Sequence, residues 1–209
     1  GGRAGSGRRP VRGAIQRGDW ALLGMLMVLP VMNSGLILDD FLHWSTLHEG
    51  ARVANHAGSP WGLFHFLAGN ATENQALKAT GEMVWWAADD LRTLFWRPLT
   101  EWTHWLDHAL WPHSPALMHL HSMLWYGALI FLLARLYQRI DTSSPVRARL
   151  AVLFFVCSIL HLTAVAWIAA RNQLVAACCT VLCIGAFHVW RTRPSPRHGW
   201  LAVAMFGLA

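Results

Sequence analysis

Residues 116–136 read ALMHLHSMLWYGALIFLLARL, with a single formal charge at Arg135. A helix needs about 20 predominantly apolar residues to cross the roughly 30 Å of hydrocarbon in a bilayer. This stretch meets that length, and its two histidines lie in its first six residues. The same test picks out Trp20–Leu38, Leu150–Ala170 and Leu174–Trp190, and a further apolar stretch opens at Trp200. The fold expected is an all-α integral membrane protein: a multi-pass helical bundle of four spans plus the start of a fifth.

Composition agrees with that reading. Of 209 residues, 55% are hydrophobic and 13% charged, and 13 are Trp; mean hydropathy is +0.33. Those values exclude an ordinary soluble enzyme. The net charge of +6 comes from short basic clusters beside apolar runs, which orient membrane proteins, so nucleic acid is not an expected partner. Cys157, Cys178, Cys179 and Cys183 all lie inside apolar runs, where a thiol behaves as a small hydrophobe rather than as a disulfide or metal ligand. The chain lacks an initiator Met and stops within an apolar run, and so reads as part of a longer protein.

Twelve of the 17 Lys and Arg residues fall in three segments: the tail with Arg3, Arg8, Arg9, Arg12 and Arg17, the stretch from Arg135 to Arg149, and the group Arg191, Arg193 and Arg197. Positive charge collects in cytoplasmic loops. The pattern predicts residues 1–19 as a cytoplasmic tail, spans at 20–38, 116–136, 150–170 and 174–190, cytoplasmic loops at 137–149 and 191–199, and a last segment from 200 to 209; the membrane expected is a bacterial-type inner membrane. A cleavable signal peptide is the rival for 20–38, but the run ends at Asp39-Asp40 rather than at a small-x-small site.

The long segment 39–115 then faces the outer side and holds nine of the eleven acidic residues. A structureless loop of that length is rare; interfacial helices near 42–55, 61–67 and 82–94 are expected. Trp85, Trp86, Trp96, Trp102, Trp105 and Trp111 suit a headgroup-level belt, since indole joins an apolar ring to one N–H donor; a ligand cage is the other reading. Membrane lipids are the first expected partner.

Several residues are candidates for chemistry. Asp39 and Asp40 lie where the first apolar run ends; partial desolvation there would raise a carboxylate toward general-base duty, while a simple stop signal is the alternative. Asp89 and Asp90 read as ligands for a divalent cation or as ion-pair partners of Arg92 and Arg97. His104 and His108, four apart with Asp107 between them, would share a helix face and are weak metal candidates; haem or chlorin is disfavoured, since no convincing further ligand accompanies them. Arg171 is the only basic residue in the short turn between the third and fourth runs, as a phosphate-gripping fork or a snorkelling anchor.

A resemblance adds to these readings. Trp96-Arg97-Pro98-Leu99-Thr100, then Leu106-Asp107-His108-Ala109-Leu110-Trp111, Pro115 and His119 resemble a segment of the multi-pass GT-C-type glycosyltransferases, closest to the O-mannosyltransferase-like proteins that often carry tetratricopeptide repeats. His161-Leu162-Thr163-Ala164-Val165-Ala166-Trp167-Ile168-Ala169-Ala170-Arg171-Asn172-Gln173-Leu174 resembles a second motif of theirs. The chain departs from those patterns at Ser122, Thr163, Ala170 and Gln173. The resemblance implies a polyprenyl-phosphate sugar as donor, Asp39 or Asp40 as base, Arg171 near the donor phosphate, and Arg97, Asp107, His119 and His161 in support. The alternative is a non-catalytic subunit, descended from such an enzyme, that packs against other membrane-protein subunits of a photosynthetic or respiratory complex.

Overall fold

The computed structural model describes residues 17–50 and 61–209. The basic tail before Arg17 and the far end of the helix expected at 42–55 lie outside those residues.

The stretch that decided the fold forms one helix, α5 (Pro115–Ile140). Pro115 opens it, where the missing N–H costs nothing, and Asp141 ends it by accepting from the backbone N–H groups of Ser143 and Ser144. Tyr126, Ile130 and Ala134 make α5 the centre of the core. They meet Trp20 on α1 (Arg17–Met27), Val152 and Val156 on α6 (Pro145–Val156), Val165 on α7 (Leu162–Ala166), and Leu174 and Cys178 on α8 (Arg171–Thr192). Small residues let the backbones approach: a Cβ on Gly24 would lie 2.2 Å from Ile130 Cδ1, and one on Gly127 2.6 Å from Met25 Sδ. The last helix described, α9 (Pro196–Leu208), packs back on α8.

Among the described residues, two segments are long and apolar enough to cross a membrane, Pro115–Ile140 and Ile168–Thr192. Residues 145–166 make a third only if their two pieces, bent by 51°, cross together. The expected span at 20–38 is not continuous helix. Its α-helix ends at Met27, Pro30 enters a 3-10 turn over Leu29–Asn33, and irregular chain with Gly35 at φ +70° follows; proline removes the N–H that another α-turn would need. The expected span at 150–170 is broken by the bend.

The outer segment also differs from expectation. Among the described residues its α-helices are α2 (Asp39–Ser45), continued by a π-helical turn over Thr46–Gly50, α3 (Ala71–Thr80) and α4 (Pro98–Leu110). Residues 61–67 and 82–94 instead carry turns and two short antiparallel strands, β1 (His65–Ala68) and β2 (Arg92–Leu94), with His65 opposite Leu94 and Ala68 opposite Arg92, so the chain is not wholly α. Local signals explain α3: Asn70 Oδ1 accepts from Thr72 N at 3.1 Å, and Gly81 closes the helix at φ +77°.

Candidate functional site

The chain enters the site through a strained turn. Leu38 has φ 48° and ψ −120°, the first central position of a type II′ turn that favours glycine, and Asp40 N donates to Ile37 O at 3.0 Å to close it. This turn separates two adjacent carboxylates. Asp40 is buried, its Oδ2 accepting from Ile37 N at 3.0 Å and its Oδ1 from Ala169 N at 2.6 Å. Burial raises its pKa, and the backbone N–H groups of Ile37, Ala169 and Ile168 act against that rise. Asp40 thus clamps the start of α2 to the turn preceding α8.

Asp39 points elsewhere. It is half-buried, has no hydrogen bond or ion pair among the described residues, and lines a cavity of 810 Å³. Burial raises its pKa without compensating donors. Leu42, Leu63, Phe66, Leu77 and Met83 supply apolar wall. Asn74 holds the far wall in shape, its amide donating to Asp89 O at 2.7 Å and Leu91 O at 3.1 Å.

Behind α2 lies a buried ionic cluster. Arg171 is fully buried; its Nη1 is 2.5 Å from Asp107 Oδ2, Nε donates to Ser122 Oγ at 3.0 Å, and Nη2 donates to Met118 O at 2.9 Å. Asp107 Oδ1 is 2.6 Å from His121 Nδ1, whose Nε2 accepts from Trp125 Nε1 at 3.2 Å. His119 Nε2 lies 2.8 Å from Gly35 O and 3.1 Å from Ser34 Oγ. The guanidinium is therefore committed to internal partners rather than open to a phosphate, and it ties α4 to α5 and α8.

Four imidazoles pack between α4 and the stretch formed by α2 and the turn that follows it, Thr46–Gly50. His43 and His104 rings are 5.0 Å apart, and His48 and His108 rings 5.2 Å apart. His43 and His104 are buried with neither ring nitrogen hydrogen-bonded. Burial first, then neighbouring positive charge, pushes His43 down to about 3 and His104 well below its usual range; burial, then the charge of His48, takes His108 to about 4. All three are neutral at neutral pH. Among the described residues no group of three His, Cys, Asp or Glu side chains is placed to hold a metal ion.

The remaining sequence candidates scatter. Asp89 pairs with Lys78 at 2.5 Å and accepts from Gln75 at 3.1 Å, rather than pairing with Arg92 or Arg97; those two bonds hold its carboxyl below the usual range. Asp90 is exposed. Arg97 lies over the Phe64 and Phe95 rings at 4.8 and 4.5 Å. The His161 ring packs against Phe155, centroids 4.0 Å apart and tilted by 31°. Of the tryptophans, Trp85, Trp86 and Trp96 are strongly exposed, while Trp105 and Trp111 are partly covered. Sequence reasoning missed His43, whose one signal was its position four residues after Asp39, and Ser122, which was noted only as a departure from a motif.

No known protein family, curated protein or solved structure matches the chain.

Proposed function

We propose that the chain is an inner-membrane protein with its acidic segment on the outer face, and that it transfers a sugar from a polyprenyl-phosphate donor in the manner of GT-C glycosyltransferases. The exposed apolar side chains of Phe154, Trp200 and Phe206 on α6 and α9 support a lipid environment, being 75%, 73% and 76% exposed. One observation carries the catalytic reading: the Asp39 carboxylate, free of partners among the described residues, faces a cavity whose volume suits a ligand. Asp39 takes the proton of an acceptor hydroxyl as that oxygen bonds to the anomeric carbon. The bond from that carbon to the phosphate oxygen breaks, and polyprenyl phosphate leaves with the electron pair. Arg171 supports this from behind by fixing Asp107 between α4 and α8.

In proteoliposomes supplied with a radiolabelled polyprenyl-phosphate sugar, the wild type transfers label and Asp39→Asn lowers the rate by about a hundredfold or more, the low end of a positioned base's contribution. Equal transfer by the variant refutes the assignment. The internal commitment of the Arg171 guanidinium favours a second reading, a non-catalytic subunit. Absence of transfer together with stoichiometric co-purifying subunits selects it.

A further inference from the structure

The end of the bundle away from Asp39 gathers arginines from several helices. Helices α5 and α8 run side by side in the same direction: Arg171 Nη2 donates to Met118 O at 2.9 Å, Cys178 Sγ donates to Trp125 O at 3.6 Å, and a Cβ on Gly185 would lie 3.8 Å from Leu136 Cδ1. Their C-terminal ends therefore lie together. Helix α6 starts at that end just after Asp141, and α9 starts there with Gly199 against Trp190. Helix α1 joins them through Arg17, whose Nε donates to Gln138 Oε1 at 2.7 Å. Arg139 on α5, Arg147 and Arg149 on α6, and Arg191, Arg193 and Arg197 along the α8–α9 turn thus share one end. The acids that accompany them are Asp19 on α1 and Asp141, and Asp141 is already held by Arg147 Nε at 2.7 Å. Residues 1–16 add four arginines and no acid, and the other nine acidic residues belong to 39–115, the segment that leads into the opposite end of α5.

Helix capping accounts for only part of this charge. Arg139 and Arg191 lie in the last turns of α5 and α8, where a cation meets the negative end of the helix dipole. Arg197 lies in the first turn of α9, where the dipole opposes a cation, and that turn holds no acid. Beside the arginines stand exposed apolar side chains, Ile140, Leu150, Trp190 and Trp200. A soluble phosphate would answer the charge and leave those side chains in water, whereas a phospholipid brings an anionic phosphodiester and hydrocarbon together.

We infer that this end is a binding surface for anionic phospholipids, with the headgroup phosphodiester held by Arg191, Arg193 and Arg197 and the acyl chains leaving along α9 past Trp200. The indoles of Trp190 and Trp200 set the headgroup level beside them. This surface requires a lipid environment and not sugar transfer, so a chain that transfers nothing keeps it.

Native mass spectrometry of the full chain in a neutral maltoside detergent, titrated with dioleoylphosphatidylglycerol or dioleoylphosphatidylcholine, reads both affinities without a bilayer to orient the protein. Phosphatidylglycerol binds at least about tenfold more tightly, since each arginine near an anionic headgroup contributes about fivefold. Arg191→Gln/Arg193→Gln/Arg197→Gln, all at exposed positions, brings that ratio to within about threefold while leaving the unfolding midpoint where it was. Raising ammonium acetate from about 0.05 to about 0.5 M shrinks the wild-type ratio by about threefold or more through screening, which needs no variant. Equal binding of the two lipids, a ratio indifferent to salt, or a preference that survives the triple variant overturns the inference. So does displacement of phosphatidylglycerol by inorganic phosphate beyond that by chloride at equal ionic strength, which would make the ligand a soluble anion.

Discussion

Leu38 occupies a backbone conformation that glycine adopts freely, and it does so one residue before the proposed base. Strain of this kind costs on the order of 1–3 kcal/mol and persists where surrounding contacts enforce it; here Asp40 enforces it, bonded to both Ile37 and Ala169. Leu38→Gly should therefore raise stability by about 1 kcal/mol, less than the strain released because glycine also loosens the unfolded chain. Chemical denaturation in detergent would check this, and a destabilised variant would contradict the strained turn. Arg171 is the converse case, a buried charge whose every arm has a partner. Removing one member of a buried pair leaves the other uncompensated and costs about 3–5 kcal/mol, so Arg171→Met should lower the unfolding midpoint sharply, and Arg171→Met/Asp107→Leu should recover much of the loss. If the single variant unfolds like the wild type, the ion pair is not part of the fold's support.

At the scale of elements, α2 and α4 meet through His43, His104 and His108, all held neutral by burial, which makes their contact sensitive to acid. The unfolded chain takes up protons as pH falls through about 6.5, whereas folded His43 and His108 resist until about 3 and about 4. The unfolded state therefore binds more protons across that window, and stability present above pH 6.5 is lost as pH falls, by on the order of 1 kcal/mol per histidine for each unit. Thermal unfolding followed from pH 7.5 to 5 should show the midpoint dropping, and His104→Phe should flatten the drop; a flat wild-type profile would contradict the buried cluster. Little of this contact was legible in the sequence. His104 and His108 share a helix face by spacing, but His43 and His48 come from a segment more than fifty residues away, and only the fold brings them alongside. The long apolar runs of α5 and α8 were legible because their length alone decides them. The first run was misjudged because hydropathy counts Pro30 as one residue among many, while the backbone counts it as a missing donor. Helix α3 was missed because its signals are an Asn cap and a closing Gly, which a search for apolar runs does not register.

For the whole molecule, adjacent residues with identical side chains have different roles. Spacing identified Asp39-Asp40 as a unit; the structure gives Asp40 to the clamp between α2 and the turn before α8 and Asp39 to the cavity. That division was not legible, since both partners of Asp40 are backbone N–H groups, which leave no mark in a sequence. The assignment of Asp39 to sugar chemistry requires the cavity to lie across the membrane from the loop between α5 and α6, which the distribution of Lys and Arg predicts. Single cysteines placed at Thr80 and at Ser143, in a chain whose own four cysteines are changed to serine, test this in intact cells with a membrane-impermeant maleimide. The account predicts that Thr80→Cys is labelled from outside and Ser143→Cys only after the cells are opened. Labelling of both from the same side, or recovery of the protein in the soluble fraction, would contradict it.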